Sequence, residues 1–514
     1  MYRSQLYCSW ILIGISWIVF YPITAAGQLL VADYGTNKIY EYNLDGSYRG
    51  VLATTSDSTS AMAFGSGTDM YVVSQSSGTV YRYDWLTGNC LSTINTGLNG
   101  LGGVLYDKSN NTLYASEFTT DFTGYRIIEY NAATGAQIGV LNVSGASGLA
   151  NMALGSDGSL YVSSFSFSNG TVYKYNSSTG VFTPLSGSFL GASGLAFDSS
   201  GNLDVVGMMT FNVYQFNSSG TAVGDLISNS GGLYFPCDII IDPDGNILVS
   251  SMGDSNSNGY IGKYNSTTGA AINTSFISTI VEPTALAIEP ALWTGGASGT
   301  GWKNSANWHG TPPVYQGDVR FGSIGTGGHA TNNNDFDSGT QFNGITFIAG
   351  APSFKLQGNT IKLGGPVINQ SDNDQEIDLD MELVLGGGSF DTGDHNITVG
   401  GLISGDGSLT KKGSGTLSLV GGVKYTGSTI VTAGTLDIAG PLTDSPTIIV
   451  EGENSELLAQ SIVADTLTIG SGTISGGATA DADLKAVPEP GAMALLATAG
   501  WLAPLVFLSR RRKT

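Results

Sequence analysis

The chain has 514 residues, of which 20 are Lys or Arg and 41 are Asp or Glu, giving a formal net charge of -21, yet only 12% of its residues are charged and 74 are glycine. A chain this acidic, with no basic stripe ahead of its final residues, is excluded from nucleic-acid binding, which requires Lys and Arg massed against phosphate. Its polarity comes from Ser, Thr, Asn and Gly, and the acidic balance implies a solvated, self-repelling surface.

The N-terminus carries Arg3, an apolar run over residues 10–21, then Pro22 and the small residues Ala25, Ala26 and Gly27. That order of basic, apolar and small residues predicts a secretory signal peptide over residues 1–27, cut near Ala26 or Gly27. Its apolar core, about 12 residues, is too short to cross a hydrocarbon layer of roughly 30 Å.

A repeat follows. Leu30-Val31-Ala32-Asp33, Tyr71-Val72-Val73-Ser74, Tyr114-Ala115-Ser116-Glu117, Tyr161-Val162-Ser163-Ser164, Asp204-Val205-Val206-Gly207 and Leu248-Val249-Ser250-Ser251 recur about every 41 to 47 residues. After each comes an alternating strand such as Lys38-Ile39-Tyr40-Glu41-Tyr42-Asn43 or Thr171-Val172-Tyr173-Lys174-Tyr175-Asn176. Val, Ile and Tyr at period two suit a half-buried pleated strand. Ahead of each marked segment lies another strand, such as Gly194-Leu195-Ala196-Phe197-Asp198, joined by a Gly- or Asn-containing turn. Four strands at this period make a propeller blade. The chain enters at the second strand of a blade, at Leu29, and leaves a lone first strand, Thr284-Ala285-Leu286-Ala287-Ile288, at the far end. Those two ends complete one shared blade, so residues 28–290 are predicted to form a six-bladed β-propeller with no open edge. The Gly-Leu-Ala-Phe-Asp, Gly-Asn-Leu and Val-Ser pattern resembles NHL-type six-bladed propellers over this whole half.

From Trp293 the period is lost. Trp293, Trp302 and Trp308 open a Gly- and Asn-rich stretch in which short strands such as Asn343-Gly344-Ile345-Thr346-Phe347 alternate with glycine turns. Later come Gly401-Leu402-Ile403-Ser404-Gly405, Leu409-Thr410-Lys411-Lys412-Gly413, Gly415-Thr416-Leu417-Ser418-Leu419 and Gly434-Thr435-Leu436-Asp437-Ile438. Short strands punctuated by glycine suit a parallel β-helix, in which coils stack and glycine turns the corners. Residues 401–438 resemble the autotransporter-associated β-strand repeat of bacterial surface proteins, and the tryptophan-rich opening resembles the segment that precedes it. The β-helix-like domain is assigned to residues 291–469, followed by a small-residue linker over residues 470–486.

Chemistry is sparse along the chain. His309, His329 and His395 all lie in the second half, so the propeller has neither a histidine base nor a Ser-His-Asp triad. No Cys-x-x-Cys, His-Glu-x-x-His or phosphate-binding loop occurs. Cys8 belongs to the signal, and Cys90 and Cys237 fall in different repeats, where nothing in the pattern places them within disulfide reach. A row of Asn333, Asp335 and Asp337 lacks the glycine and glutamate that a calcium loop needs at its sixth and twelfth positions, which here are Ser338 and Gly344. Asp372, Asp374, Glu376, Asp378 and Asp380 alternate along a second row and read as a solvated face.

The gluconolactonase-like propellers offer the sharper enzymatic comparison, because residues at the start of their inner strands converge on a divalent ion at the channel mouth. The corresponding positions here are Ala61, Gly103, Asn151, Gly194, Asp238 and Ala285, of which only Asn151 and Asp238 could ligate a hard cation such as Ca²⁺. The alternative is that Asp238 hydrogen-bonds strand ends while Asn151 supports a loop.

At the far end, Val487-Pro488-Glu489-Pro490 precedes an uncharged segment over residues 491–508 and then Arg510, Arg511, Arg512 and Lys513. An apolar run of this length predicts one transmembrane helix, with the basic residues held on the cytoplasmic side. Residues 487–514 resemble the bacterial PEP-CTERM sorting signal, and the resemblance implies transient membrane anchoring and cleavage by an exosortase. The expectation is thus an all-β, exported, non-catalytic surface or matrix protein without a required cofactor. Its partners would be signal peptidase, an exosortase-type enzyme, and extracellular polysaccharide or surface proteins. A metal-dependent lactonase is the alternative.

Overall fold

The inner strand of each blade is rich in small and apolar residues because it must fit among five others around one axis. In the computed structural model the described residues are 28–478, apart from 120–124, 156, 188, 255–257, 297–298, 315–316 and 385–387. The two expected terminal segments, with Ala26 and Gly27 at one end and Pro488, Glu489, Pro490, Arg510, Arg511 and Arg512 at the other, lie outside them. Among the described residues no helix is long and apolar enough to cross a membrane, and the one helical element is the 3-10 turn Ser305–Asn307.

Residues 59–95, 101–142, 149–184, 192–227 and 236–277 form blades I to V, each a four-stranded antiparallel sheet with its strands in chain order. Blade VI is shared: Pro283–Ile288 is its inner strand and pairs antiparallel with Gln28–Asp33, with Leu29 opposite Ile288 and Val31 opposite Leu286. The Glu289 backbone N–H donates to the Gln28 carbonyl at 3.0 Å and completes the closure. Second strands such as Asp69–Ser74 and Thr112–Glu117 are buried along their whole length, because neighbouring blades cover both faces. In the third strand Lys38–Asn43 the buried residues are Ile39 and Tyr42, one on each face, while Lys38 and Glu41 are half-buried. Outer strands such as Cys90–Asn95 are mostly exposed.

From Ala291 the chain winds into a parallel β-solenoid of three sheets with ten, eight and five strands. Coils stack in strict register, so that Ile397 lies on Leu417, Leu417 on Leu436 and Leu436 on Leu457. Most of the strands are three or four residues long and point every second side chain inward, as in Ile361–Leu363 and Met381–Leu383. Glycine turns the corners because the coils touch there: a Cβ on Gly415 would sit 1.8 Å from the His395 carbonyl oxygen. The last strand, Thr473–Ala478, pairs in parallel with Glu456–Ile462 and so adds a rung inside the stretch expected to be a linker. Small residues by themselves suggest a linker there, but the alternation Thr473, Ile474, Ser475 continues the pleat.

Three buried tryptophans close the first coil. Trp293, Trp302 and Trp308 pack edge to face, with ring centroids 5.0 and 6.1 Å apart, over Phe321 and Phe342. A solenoid leaves its terminal coil uncovered, and a bulky aromatic cap is one way to shield it. The indole N–H groups are each satisfied, Trp293 by the His329 carbonyl at 2.8 Å, Trp302 by Asn332 Oδ1 at 2.7 Å and Trp308 by the Trp302 carbonyl at 2.8 Å.

The solenoid sits against the propeller face that carries the first-to-second and third-to-fourth strand turns. Arg320, 5% exposed, donates from both terminal nitrogens to the Gly67 and Gly65 carbonyls, at 2.5 and 2.9 Å. Lys108 pairs with Asp318, and Lys412 Nζ donates to the Ser109 carbonyl at 2.5 Å. Leu292 and Ile348 of the solenoid join the apolar cluster of Trp85, Leu30 and Met70.

Candidate functional site: the propeller channel and its open mouth

Each of the six inner strands carries a register shift at or beside the aligned channel position. The shifts fall between Thr59 and Ala61, Leu101 and Gly103, Leu149 and Met152, Ala192 and Leu195, and Pro236 and Ile239, and in blade VI opposite Ala32 and Asp33. A bulge frees backbone groups from the ladder, and here hydroxyls meet them. In blades II, III and V the second strand supplies the serine: Gly103, Asn151 and Asp238 donate their N–H to Ser116, Ser163 and Ser250 Oγ at 2.8, 3.0 and 3.0 Å. In blades I, IV and VI that position holds Val73, Val206 or Ala32, and the inner strand brings the hydroxyl instead, from Ser60, Ser193 and Thr284.

These groups also join each blade to the next. Thr284 donates to the Thr59 carbonyl, Ser60 to Leu101, Ser116 to Ala150, Ser163 to Ser193 and Ser193 to Cys237, at 2.5 to 2.8 Å. The sixth junction is closed by Asp238, whose Oδ2 accepts the Leu286 N–H at 2.9 Å. Ser116 and Ser163 of the sequence repeat are therefore part of the inter-blade clasp, a role that alternation alone does not reveal.

The structure brings Asn151 and Asp238 together across the channel, 87 positions apart in the chain. Asn151 Nδ2 donates to Asp238 Oδ1 at 3.0 Å, and Asn151 Oδ1 is held by the Met152 N–H at 2.9 Å. Burial pushes the Asp238 carboxyl up to about 6, although hydrogen bonds from Leu286, Ile239 and Asn151 pull it down. Gly194 makes room for the pair, since a Cβ there would stand 2.7 Å from Asp238 Oδ1. A divalent cation does not fit this donor set. The amide presents an N–H toward the carboxylate, both carboxylate oxygens are engaged, and Ala61, Gly103, Gly194 and Ala285 offer no further side-chain oxygen. Asn151 and Asp238, the candidate metal ligands, form in this structure a hydrogen-bonded cross-strut.

The other acidic rows are also occupied. Asp335 Oδ1 accepts the Lys303 N–H and Asp337 pairs with Lys303 Nζ. Lys355 pairs with Glu376 and Asp378, while Asp374 and Asp380 accept the Asn396 and Leu402 N–H groups of the next coil at 2.8 Å each. The second row thus stitches coils as well as facing solvent. Among the described residues no cluster of three His, Cys, Asp or Glu side chains is placed to hold a metal ion. Cys90 and Cys237 are free thiols, the first exposed and the second buried, and burial raises the Cys237 thiol well above its ordinary range.

The other propeller face, away from the solenoid, carries the second-to-third and fourth-to-first connections. The residue after each second strand is Tyr34, Gln75, Phe118, Phe165, Met208 or Met252, so five of six blades place a large apolar side chain at this rim. Phe118, Phe165, Met208 and Met252 donate their N–H to the carbonyls of Gly100, Gly148, Gly191 and Phe235, which ties the two sets of loops together. Phe165 touches Phe118 and Phe167 edge to face, at 5.8 and 5.2 Å. Phe211, Tyr234 and Phe235 form a second group between blades IV and V. Sequence reasoning passed over this collar because its residues lie just beyond the marked strands. Aligning the repeats one residue further would have exposed it.

No known family model matches the chain, and no curated protein matches it. Among solved structures, one described as "Crystal structure of Nidogen/Laminin Complex" is similar at 17% identity with a TM-score of 0.44, over 51% of this chain and 98% of that chain.

Proposed function

We propose that this chain is a non-catalytic exported scaffold of the cell surface or extracellular matrix, which presents its open propeller face to polysaccharide or protein and is sorted through a C-terminal PEP-CTERM-type signal. The observation that carries the reading is the Asn151–Asp238 strut: the two channel residues best suited to metal chemistry are bonded to each other at 3.0 Å. Phe167 and Tyr234, 57% and 39% exposed at the open face, support a binding role, because exposed apolar surface marks sites of interaction. The Ala26–Gly27 junction and the Pro488-Glu489-Pro490, apolar and arginine sequence support export and later processing.

The test is mass spectrometry of both termini of the protein recovered from fractionated cells that make it. The expected product starts near residue 27 or 28 and ends near the Pro-Glu-Pro motif. Changing Pro488, Glu489 and Pro490 to alanine is expected to block the second cut and leave the first intact. A cytoplasmic chain that keeps Met1, or an alanine variant cut as wild type, overturns the reading.

A further inference from the structure

Two phenylalanines on the open face occupy backbone positions that bulky residues avoid. Phe211 has φ of 55° and Phe235 has φ of 44°, both in the left-handed region. The same turn positions in sister blades are filled by residues suited to that region. Immediately before the third strand stand Asn37, with φ of 54°, and Gly78, with φ of 59°. Immediately before the first strand stand Gly148 and Gly191, with φ of 61° and 69°. Where these turns take positive φ in the sister blades the residue is glycine or asparagine, and blades IV and V place an aromatic ring there instead. Backbone strain of this kind persists where a site requires the side chain.

The two rings meet. Phe211 stacks on Tyr234, with centroids 4.9 Å apart and planes at 23°, and Phe235 packs edge-on against both, at 5.1 and 5.0 Å. Tyr234 is 39% exposed, so the platform opens to solvent. The turn that carries the platform is braced from within: Thr210 donates to Asn212 Oδ1, Asn212 Nδ2 donates to Asp225 Oδ1 at 3.0 Å, and the Tyr260 hydroxyl donates to the Gly232 carbonyl at 2.7 Å. The platform lies on the face opposite the solenoid contact, so the solenoid does not cover it.

Building on the scaffold function above, we propose that Phe211, Tyr234 and Phe235 form a stacking platform for the sugar rings of a neutral polysaccharide. A pyranose offers a flat apolar C–H face that an aromatic ring can cover. Charge narrows the class further. A chain of net charge -21 repels polyanions, and an uncharged glycan escapes that repulsion.

The test is native electrophoresis of the full-length chain through gels containing hydroxyethyl cellulose, laminarin or dextran as neutral glucans, with alginate as the polyanion and a proline-rich peptide as competitor. The wild type is expected to be retarded by at least one neutral glucan and not by alginate. Phe211→Asn keeps a residue that tolerates the turn, as Asn37 does, and Tyr234→Ala removes an exposed ring; each is expected to weaken retardation about tenfold or more without lowering the melting temperature. The proposal is overturned if no neutral glucan retards the wild type, if both variants bind as wild type, or if the peptide displaces the glucan or binds in its place. Because the readout is binding in vitro, its failure is separate from failure of export or sorting in cells.

Discussion

Replacing Asp238 with asparagine isolates the electrostatic cost of the channel strut. The Asp238 carboxyl is pushed from an ordinary 3.8 up to about 6, mainly because burial disfavours the charged form. A carboxyl whose pKa is raised on folding favours the folded state most below pH 3.8, and that contribution is lost as pH climbs through 6. The rise corresponds to about 3 kcal/mol of folding free energy between the acid and neutral limits. In the Asp238→Asn variant there is no charge to desolvate, and the side-chain carbonyl could still accept the Leu286 N–H. The new amide nitrogen, however, would face the Asn151 Nδ2 donor, so the variant should be the less stable protein in acid. Urea unfolding followed by circular dichroism at about pH 4 and pH 8, on either side of the folded-state value, is the assay. Asp238→Asn is expected to be destabilised in acid by about 1 to 3 kcal/mol, with the difference from wild type shrinking or reversing at the alkaline end. A gap that stays constant between the two conditions would refute the placement of an ionisable, desolvated carboxyl in the channel.

Two further perturbations probe the rest of the architecture. Arg320→Met leaves the Gly65 and Gly67 carbonyls without their buried donor, and is expected to cost about 3 kcal/mol at the domain contact; faster limited proteolysis near residues 289–291 and a larger radius of gyration by X-ray scattering would register it. Trp302→Ala empties the solenoid cap, where the indole is fully buried and bonded to Asn332, and should destabilise the solenoid by about 3 to 5 kcal/mol; a shift of the tryptophan fluorescence transition to lower urea checks it, and an unchanged midpoint would show that the cap does not hold the first coil.

Repetition made much of the fold legible from the sequence. Six Val-Ser-type segments at a regular interval are a one-dimensional signal, and a lone strand at each end of the repeat leaves only the shared blade that Pro283–Ile288 and Gln28–Asp33 form. Period-two alternation likewise announced which side chains of Ile361–Leu363 or Met381–Leu383 turn inward, because a pleated strand allows no other choice. Lys411 shows where that logic stops. Alternation with Leu409 puts it inside the solenoid, and nothing local explains a lysine there. Its Nζ is met by the Lys412, Gly413 and Ala433 carbonyls at 2.7 to 3.1 Å, and burial lowers its pKa to about 8.

The channel and its mouth depend even more on three-dimensional convergence. In sequence, Asn151 and Asp238 are an amide and a carboxylate two blades apart, equally suited to binding a cation or to bonding each other. Which one holds depends on the direction of an amide N–H and on the absence of a side chain at Gly194, neither of which a repeat alignment contains. The same is true of Phe211 and Phe235, ordinary apolar residues until the turn gives them positive φ and brings their rings together. The sequence by itself determined the blade count, the inward faces and the change of architecture at Trp293, since these follow from periodicity along the chain. Only the tertiary structure decided which polar groups meet across the channel, which propeller face the solenoid covers and which it leaves open, because those depend on distances between residues far apart in sequence.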